Sequence, residues 1–137
     1  MPHIVVEYSA NLRGRIEPEE LIECVHRAAL RTGVFPIGGT RTRAAERSCY
    51  RIADGHPDNA FVHLVLRIAH GRDLATRRRV GEEVFAAVCK HLEGLSERSP
   101  LGISLEIQEI DPALSWKKNN LHDYARRRQD GAGETKA

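Results

Sequence analysis

At 137 residues the chain has the length of one domain, and its 41% apolar and 29% charged residues are ordinary for a folded globular protein. A formal charge of +2 is too small to argue for a nucleic-acid partner, and arginine far outnumbers lysine, which favours planar, anion-facing forks over mobile point charges. No stretch approaches the roughly 18 apolar residues of a membrane span, and the N-terminus lacks a basic flank with an apolar core, so no membrane partner is expected. Cys24, Cys49 and Cys89 are odd in number and lack any CxxC, which points away from a disulfide framework or a zinc site and towards a reduced, cytoplasmic setting.

The chain opens Met1-Pro2-His3-Ile4-Val5-Val6-Glu7-Tyr8-Ser9, a proline followed at once by a strand-like apolar run. Proline is a small penultimate residue, so Met1 is expected to be trimmed, leaving Pro2 as the N-terminus. A free N-terminal proline is a secondary amine with the basicity of an α-amino group, about 7.7–8.0. In a cavity beside cations its proton affinity falls towards neutrality, which suits a general base. The plainer alternative is a proline that merely begins an edge strand.

Glu17-Pro18-Glu19-Glu20 reads as a helix start, with proline in the first turn and acids at the positive end of the dipole. Leu21, Cys24, Val25, Ala28 and Ala29 share one helical face, and Gly33 stops it. Gly38-Gly39 precedes Thr40 to Ala53, a strand-length segment of polar, arginine-laden alternation. Asp54-Gly55-His56-Pro57-Asp58-Asn59 is a dense turn signal. Phe61 to Ile68 is the strongest strand in the sequence, and Asp73 after Gly71-Arg72 is a good N-cap for a long helix. Val80, Val84, Val88, Leu92 and Leu95 give that helix its buried stripe. Ile103 to Ile107 alternates as a half-buried strand, and from Arg126 to residue 137 the composition predicts a solvated, mobile polar tail.

The order strand–helix–strand occurs twice, and a shift of sixty residues lays His3-Ile4-Val5-Val6 over His63-Leu64-Val65-Leu66, and Glu46 over Glu106. The expectation is one domain over 1–125, built from repeats at 2–60 and 61–120, of class α+β (α/β in local connectivity). Its two tandem β-α-β units form one four-stranded sheet with both helices on one face. The uncovered face is expected to be apolar enough to need a partner. The repeat bears on Pro2 as well: its counterpart, Val62, is internal and has no free amine.

The opening Pro-His-Ile-Val-Val-Glu resembles the tautomerase superfamily, and more narrowly the 5-carboxymethyl-2-hydroxymuconate isomerase family. Matching stretches are Thr32 to Pro36, Gly39 to Arg43, Ala53-Asp54-Gly55, Ala60 to His63, Gly71-Arg72, Leu105-Glu106-Ile107 with Glu109, and Lys118 to His122. The resemblance runs from Pro2 to about His122, and its weight lies in order and spacing rather than in any one motif. It implies a duplicated tautomerase-like β-α-β fold assembled as a homotrimer. The implied activity is isomerisation of a polycarboxylate dienol in aromatic-compound (homoprotocatechuate) breakdown, without metal or organic cofactor. The family's catalytic residues fall on Pro2, Arg41 and Arg72.

The chemistry asks for such residues. Moving a proton from a dienol oxygen to a distant carbon needs one base able to accept and return it. The dienolate intermediate gains from a preorganised guanidinium, and losing a donor of that kind costs about 2.7–4 kcal/mol. A substrate with several carboxylates also needs a bidentate anchor. Pro2 is therefore assigned as base and proton carrier. Arg41 and Arg72 share substrate binding and oxyanion polarisation, and the same cations, with an apolar wall from Phe35 or Trp116, depress the amine's basicity. Otherwise Arg41 is one more solvated strand arginine ahead of Arg43, Arg47 and Arg51, and Arg72 is a loop arginine near a helix start.

His3 and His63 read as packed or hydrogen-bonded strand residues rather than metal ligands, and no histidine pair has helical ligand spacing. Arg77-Arg78-Arg79 and Arg126-Arg127-Arg128 read as solvated faces, and Asn119 to His122 has no derivable role. The alternatives are another Pro2-dependent tautomerase or dehalogenase, or a non-enzymatic trimeric binding protein.

Overall fold

The computed structural model describes residues 1–135. Strands β1 (His3–Ser9), β2 (Arg41–Arg47), β3 (Ala60–Ala69) and β4 (Leu101–Ile110) form one sheet in the order β2-β1-β3-β4. Each half contributes a parallel pair, β1 with β2 and β3 with β4, and the halves join antiparallel through β1 and β3. Helices α1 (Pro18–Arg31) and α2 (Leu74–His91) cross between the parallel strands and pack on the same face and on each other.

Alternation along the strands sends Ile4, Val6, Val62, Leu64, Leu66 and Ile68 to that face, all fully buried. They meet Leu21, Val25 and Ala29 of α1 and Val80, Val84 and Val88 of α2, also fully buried. α1 begins with Pro18 in its first turn, and Gly33, at φ +75°, lets the chain leave it. At α2 the Asp73 carboxylate accepts from the Thr76 N–H at 2.8 Å, capping the helix.

The structure departs from the sequence reading in five places, the last of them in the register of the repeat. β2 ends at Arg47, well before Ala53. The following loop leaves the sheet because side chains tie it elsewhere: Asn11 Nδ2 donates to the carbonyls of Asn59 (2.7 Å) and Pro57 (3.1 Å), and Asn59 Nδ2 to Asp54 (2.8 Å). The long second helix breaks at Leu92, and a short α3 (Glu93–Arg98) follows, which keeps both Leu92 and Leu95 buried. Of the stretch expected to be a mobile tail, residues 126–135 are helical, in α4 (Leu121–Thr135), and 136–137 lie outside the described residues. The helix is held by a tertiary contact that composition does not reveal, the packing of its first turns on the 3₁₀ turn Ile37–Gly39.

The fourth difference concerns the uncovered sheet face. Its central residues are His3, Val5 and Glu7 on β1, Arg43 on β2, His63, Val65 and Arg67 on β3, and Ser104, Glu106 and Gln108 on β4. It is polar with a small valine centre, so an apolar face is not the reason for it to take a partner. The bulky apolar residues of β1 and β3, Ile4, Val6, Val62, Leu64, Leu66 and Ile68, alternate onto the helix-covered face, so the apolar content of the strands overstates that of the other face.

The internal repeat is visible in the register. Val5 lies opposite Val65, and Glu46 lies opposite Tyr8 as Glu109 lies opposite Ile68. Glu46 therefore corresponds to Glu109 rather than to Glu106, because the second half has the longer path between its paired strands.

Candidate active site

Pro2 is buried at the leading end of β1, its carbonyl accepting from the Arg41 N–H at 3.1 Å. Parallel pairing sets Arg41 opposite His3, beside the N-terminus, and its Nη1 lies 3.4 Å from the Met1 sulfur. Antiparallel pairing sets Arg67 opposite His3, so the end of β3 and the turn after it reach the same end of the sheet. That turn passes through Gly71 at φ +118°, a conformation that favours glycine, and delivers Arg72. The Arg72 guanidinium stacks 5.2 Å from the centre of the buried Phe35 ring and donates to the Ala69 carbonyl at 3.3 Å. The chain after β4 then returns across the opening with Trp116 and Lys117.

These elements enclose a cavity of about 230 Å³ lined by Met1, His3, His70, Ile110, Trp116 and Lys117. The N-terminal amine there is that of Met1, and the Pro2 nitrogen lies one residue inward in a peptide bond. Burial, then the charges of Lys117, Arg72 and Arg41, hold this amine below its ordinary 8.0. His3 is pushed below 6.5 by burial and then by Arg43, Arg41 and Arg67. Arg43 Nη1 donates to its Nδ1 at 3.1 Å, which requires that nitrogen unprotonated. The neighbourhood is cationic and built to receive anions. A larger groove of about 650 Å³ lies between α2 and β4, lined by Arg77, Phe85 and Ile107 among others, away from the amine.

Arg41 and Arg72 thus both bear on the N-terminus; Phe35 lies under Arg72, whereas Trp116 stands at the rim of the cavity, 84% exposed, and forms no desolvating wall. The sequence reading missed Lys117 and His70. Lys117 had one signal, a lysine pair at 117–118 in a chain whose cations are mostly arginine. His63 hydrogen-bonds Ser104 (2.6 Å) and Glu106 (3.0 Å) on the uncovered face, remote from the amine. Among the described residues no group of three or more His, Cys, Asp or Glu side chains is arranged to hold a metal. Asn119 and His122 brace the glycine turn: Asn119 Nδ2 donates to the Gly38 carbonyl at 2.9 Å, and His122 lies against Gly38 and Gly39.

A family model for 5-carboxymethyl-2-hydroxymuconate isomerase matches residues 2–125. The chain belongs to the 5-carboxymethyl-2-hydroxymuconate isomerase family. A relative from Escherichia coli, a 5-carboxymethyl-2-hydroxymuconate Delta-isomerase, is 38% identical over 122 residues, covering 89% of this chain and 97% of its own. The crystal structure of a 5-carboxymethyl-2-hydroxymuconate isomerase from Deinococcus radiodurans R1 superimposes with a TM-score of 0.84 at 38% identity, over 91% of this chain and 94% of that one. A more distant likeness, at 13% identity and a TM-score of 0.65 over 90% and 98% of the two chains, is a fused 4-OT protein described as a symmetric trimer. That likeness shows the tautomerase-type fold. In this isomerase family the matched span takes in β1 through β4 and the cavity wall at Trp116 and Lys117, and it reaches into the first turns of α4.

Proposed function

We propose that the chain isomerises 5-carboxymethyl-2-hydroxymuconate, or a close polycarboxylate dienol, to the unsaturated 2-oxo acid, with Pro2 as the proton carrier once Met1 is removed. One observation carries the reading. The amine of Met1, one residue ahead of Pro2 at the end of β1, is held below 8.0 by burial and by the charges of Lys117, Arg72 and Arg41, the surroundings that the Pro2 amine enters once Met1 is removed. A neutral amine there accepts the dienol hydroxyl proton and returns it to the carbon end of the conjugated system. Arg41 and Arg72 hold a carboxylate and the developing enolate oxygen. Lys117 supplies a third cation for a substrate bearing three carboxylates. The family match and the identity to the Escherichia coli isomerase support the substrate class.

The working unit is proposed to be a homotrimer in the cytoplasm. Its support is the symmetric trimer among proteins of this fold and the outer edges of β2 and β4, which pair with no further strand among the described residues. Among the described residues no helix is long and apolar enough to cross a membrane. Light scattering on the purified protein measures the assembly.

The test of the chemistry is Pro2→Ala with Met1 still removed, verified by intact mass. Loss of dienol turnover by at least about a hundredfold with unchanged melting is expected. Wild-type turnover in that variant sinks the proposal, as does retention of Met1 in active enzyme. A folded wild-type protein with no turnover of any dienol points instead to a binding protein.

A further inference from the structure

Glu109 stands near the end of β4 on the helix-covered side of the sheet, opposite Ile68. Its carboxylate, 28% exposed, grips both sides of the turn that carries Arg72. Before the turn, His70 Nδ1 lies 3.1 Å from Oε2, and after it Arg77 Nη1 lies 2.9 Å from Oε1. Arg77 then folds back, its Nε donating to the carbonyl of Arg72 at 3.1 Å and towards that of Asp73 at 3.4 Å. The other ties of the turn are the Arg72 hydrogen bond to the Ala69 carbonyl, its stacking on Phe35 and the Asp73 cap. Gly71 sits at φ +118°, and a Cβ there would meet nothing within 4 Å.

The first half of the chain uses the same device away from the site. Glu46, the register counterpart of Glu109, holds Arg13 in the β1–α1 connection through both Nε (3.2 Å) and Nη2. That connection lies at the trailing end of β1, opposite the N-terminus. The repeat therefore supplies an internal control, one glutamate–arginine pin beside the amine and one remote from it.

We propose that Glu109 is a positioning residue: through His70 and Arg77 it fixes the turn that aims the Arg72 guanidinium at the cavity of the N-terminal amine. This rests on the reading of Arg72 as a substrate-binding cation. A carboxylate that locks an arginine turn is worth rate because small misplacement of a polarising group is costly in the transition state.

Four variants test it by kcat/KM on 5-carboxymethyl-2-hydroxymuconate and by melting temperature: Glu109→Gln, Glu46→Gln, Arg72→Ala, and the Arg72→Ala/Glu109→Gln double variant. Glu109→Gln is expected to lower kcat/KM about tenfold, while Glu46→Gln stays within about twofold of wild type at a similar melting temperature. In the Arg72→Ala background Glu109→Gln is expected to have no further effect, which a merely structural pin would not produce. Equal activities of Glu109→Gln and Glu46→Gln, or additive losses in the double variant, overturn the proposal. Wild-type kcat/KM in Arg72→Ala overturns it by a different route, by removing the role of Arg72 itself. If Glu109→Gln melts far below Glu46→Gln, Arg77→Lys repeats the comparison. It keeps the charge and drops the Nε contacts to the turn, so the same tenfold loss, absent in the Arg72→Ala background, is expected, and its absence overturns the proposal.

Discussion

Val5 and Val65, counterparts in the two halves of the sequence, lie directly opposite each other across the β1–β3 ladder. The approximate two-fold axis of the subunit therefore passes between them, and the two ends of the sheet are near copies. Only one end can have a free amine, because the counterpart of Pro2 is Val62, buried inside β3. An electrophilic alkynyl 2-oxo acid is accordingly expected to form one adduct per chain, on the peptide that begins at Pro2. Mass spectrometry of the digested protein reads this directly. Stoichiometric labelling anywhere else would contradict the assignment of the base.

On the proposed mechanism, the cations around the N-terminus set the pH at which the amine works. For the Met1 amine burial comes first and Lys117 is the foremost of the charges that lower its basicity, and the Pro2 amine that replaces it is proposed to meet the same cations. The active form is the neutral amine, so a depressed pKa extends activity to lower pH. Removing the Lys117 charge raises that pKa back towards 8.0 and moves the acid limb of kcat/KM upward. Lys117→Gln is expected to show this shift in a pH–rate profile, with a raised KM for a tricarboxylate and little change for a dicarboxylate. An unmoved acid limb would show that Lys117 does not face the base.

Much of this was legible in the residues because local and global signals agree. Pro18, Glu19 and Glu20 announce α1, Asp73 caps α2, and the alternation of Phe61 to Ile68 matches the buried and exposed sides of β3. The pairing of Arg41 with His3 was not legible, since register is a tertiary fact, and without it Arg41 is one of several strand arginines. α4 escaped notice for a related reason. Its own residues are mostly polar, and what orders it is the turn at Gly38, which sits 81 positions earlier than Asn119. Lys117 and His70 reach the cavity from two loops whose convergence no pattern encodes.

That turn gives a direct test of α4 docking. A Cβ on Gly38 would stand 2.6 Å from the His122 Cα and 2.7 Å from its backbone nitrogen, atoms that cannot swing aside as a side-chain tip can. Gly38→Ala is expected to cost about 1–3 kcal/mol in urea unfolding. It should also expose the arginines at 126–128 to trypsin, through local release of the helix. An unchanged unfolding midpoint together with unchanged cleavage would mean that α4 does not depend on this contact.

His3 offers a final test, at the wall of the cavity itself. Burial and then Arg43 push its pKa below 6.5, and the hydrogen bond from Arg43 Nη1 at 3.1 Å favours the neutral ring. In an NMR titration His3 is expected to protonate below the ordinary histidine range, and Arg43→Gln to move it upward. The linkage has a definite sign. A folded-state pKa below the unfolded one means that the unfolded chain binds more protons between the two values, so stability rises with pH across that window. The stabilisation is complete above about 6.5 and is lost as pH falls through the folded value, and Arg43→Gln narrows the window from below. A His3 that titrates at or above 6.5 in the folded protein would reverse the sign. It would also mean that the ring nitrogen facing Arg43 is not the acceptor that the geometry requires.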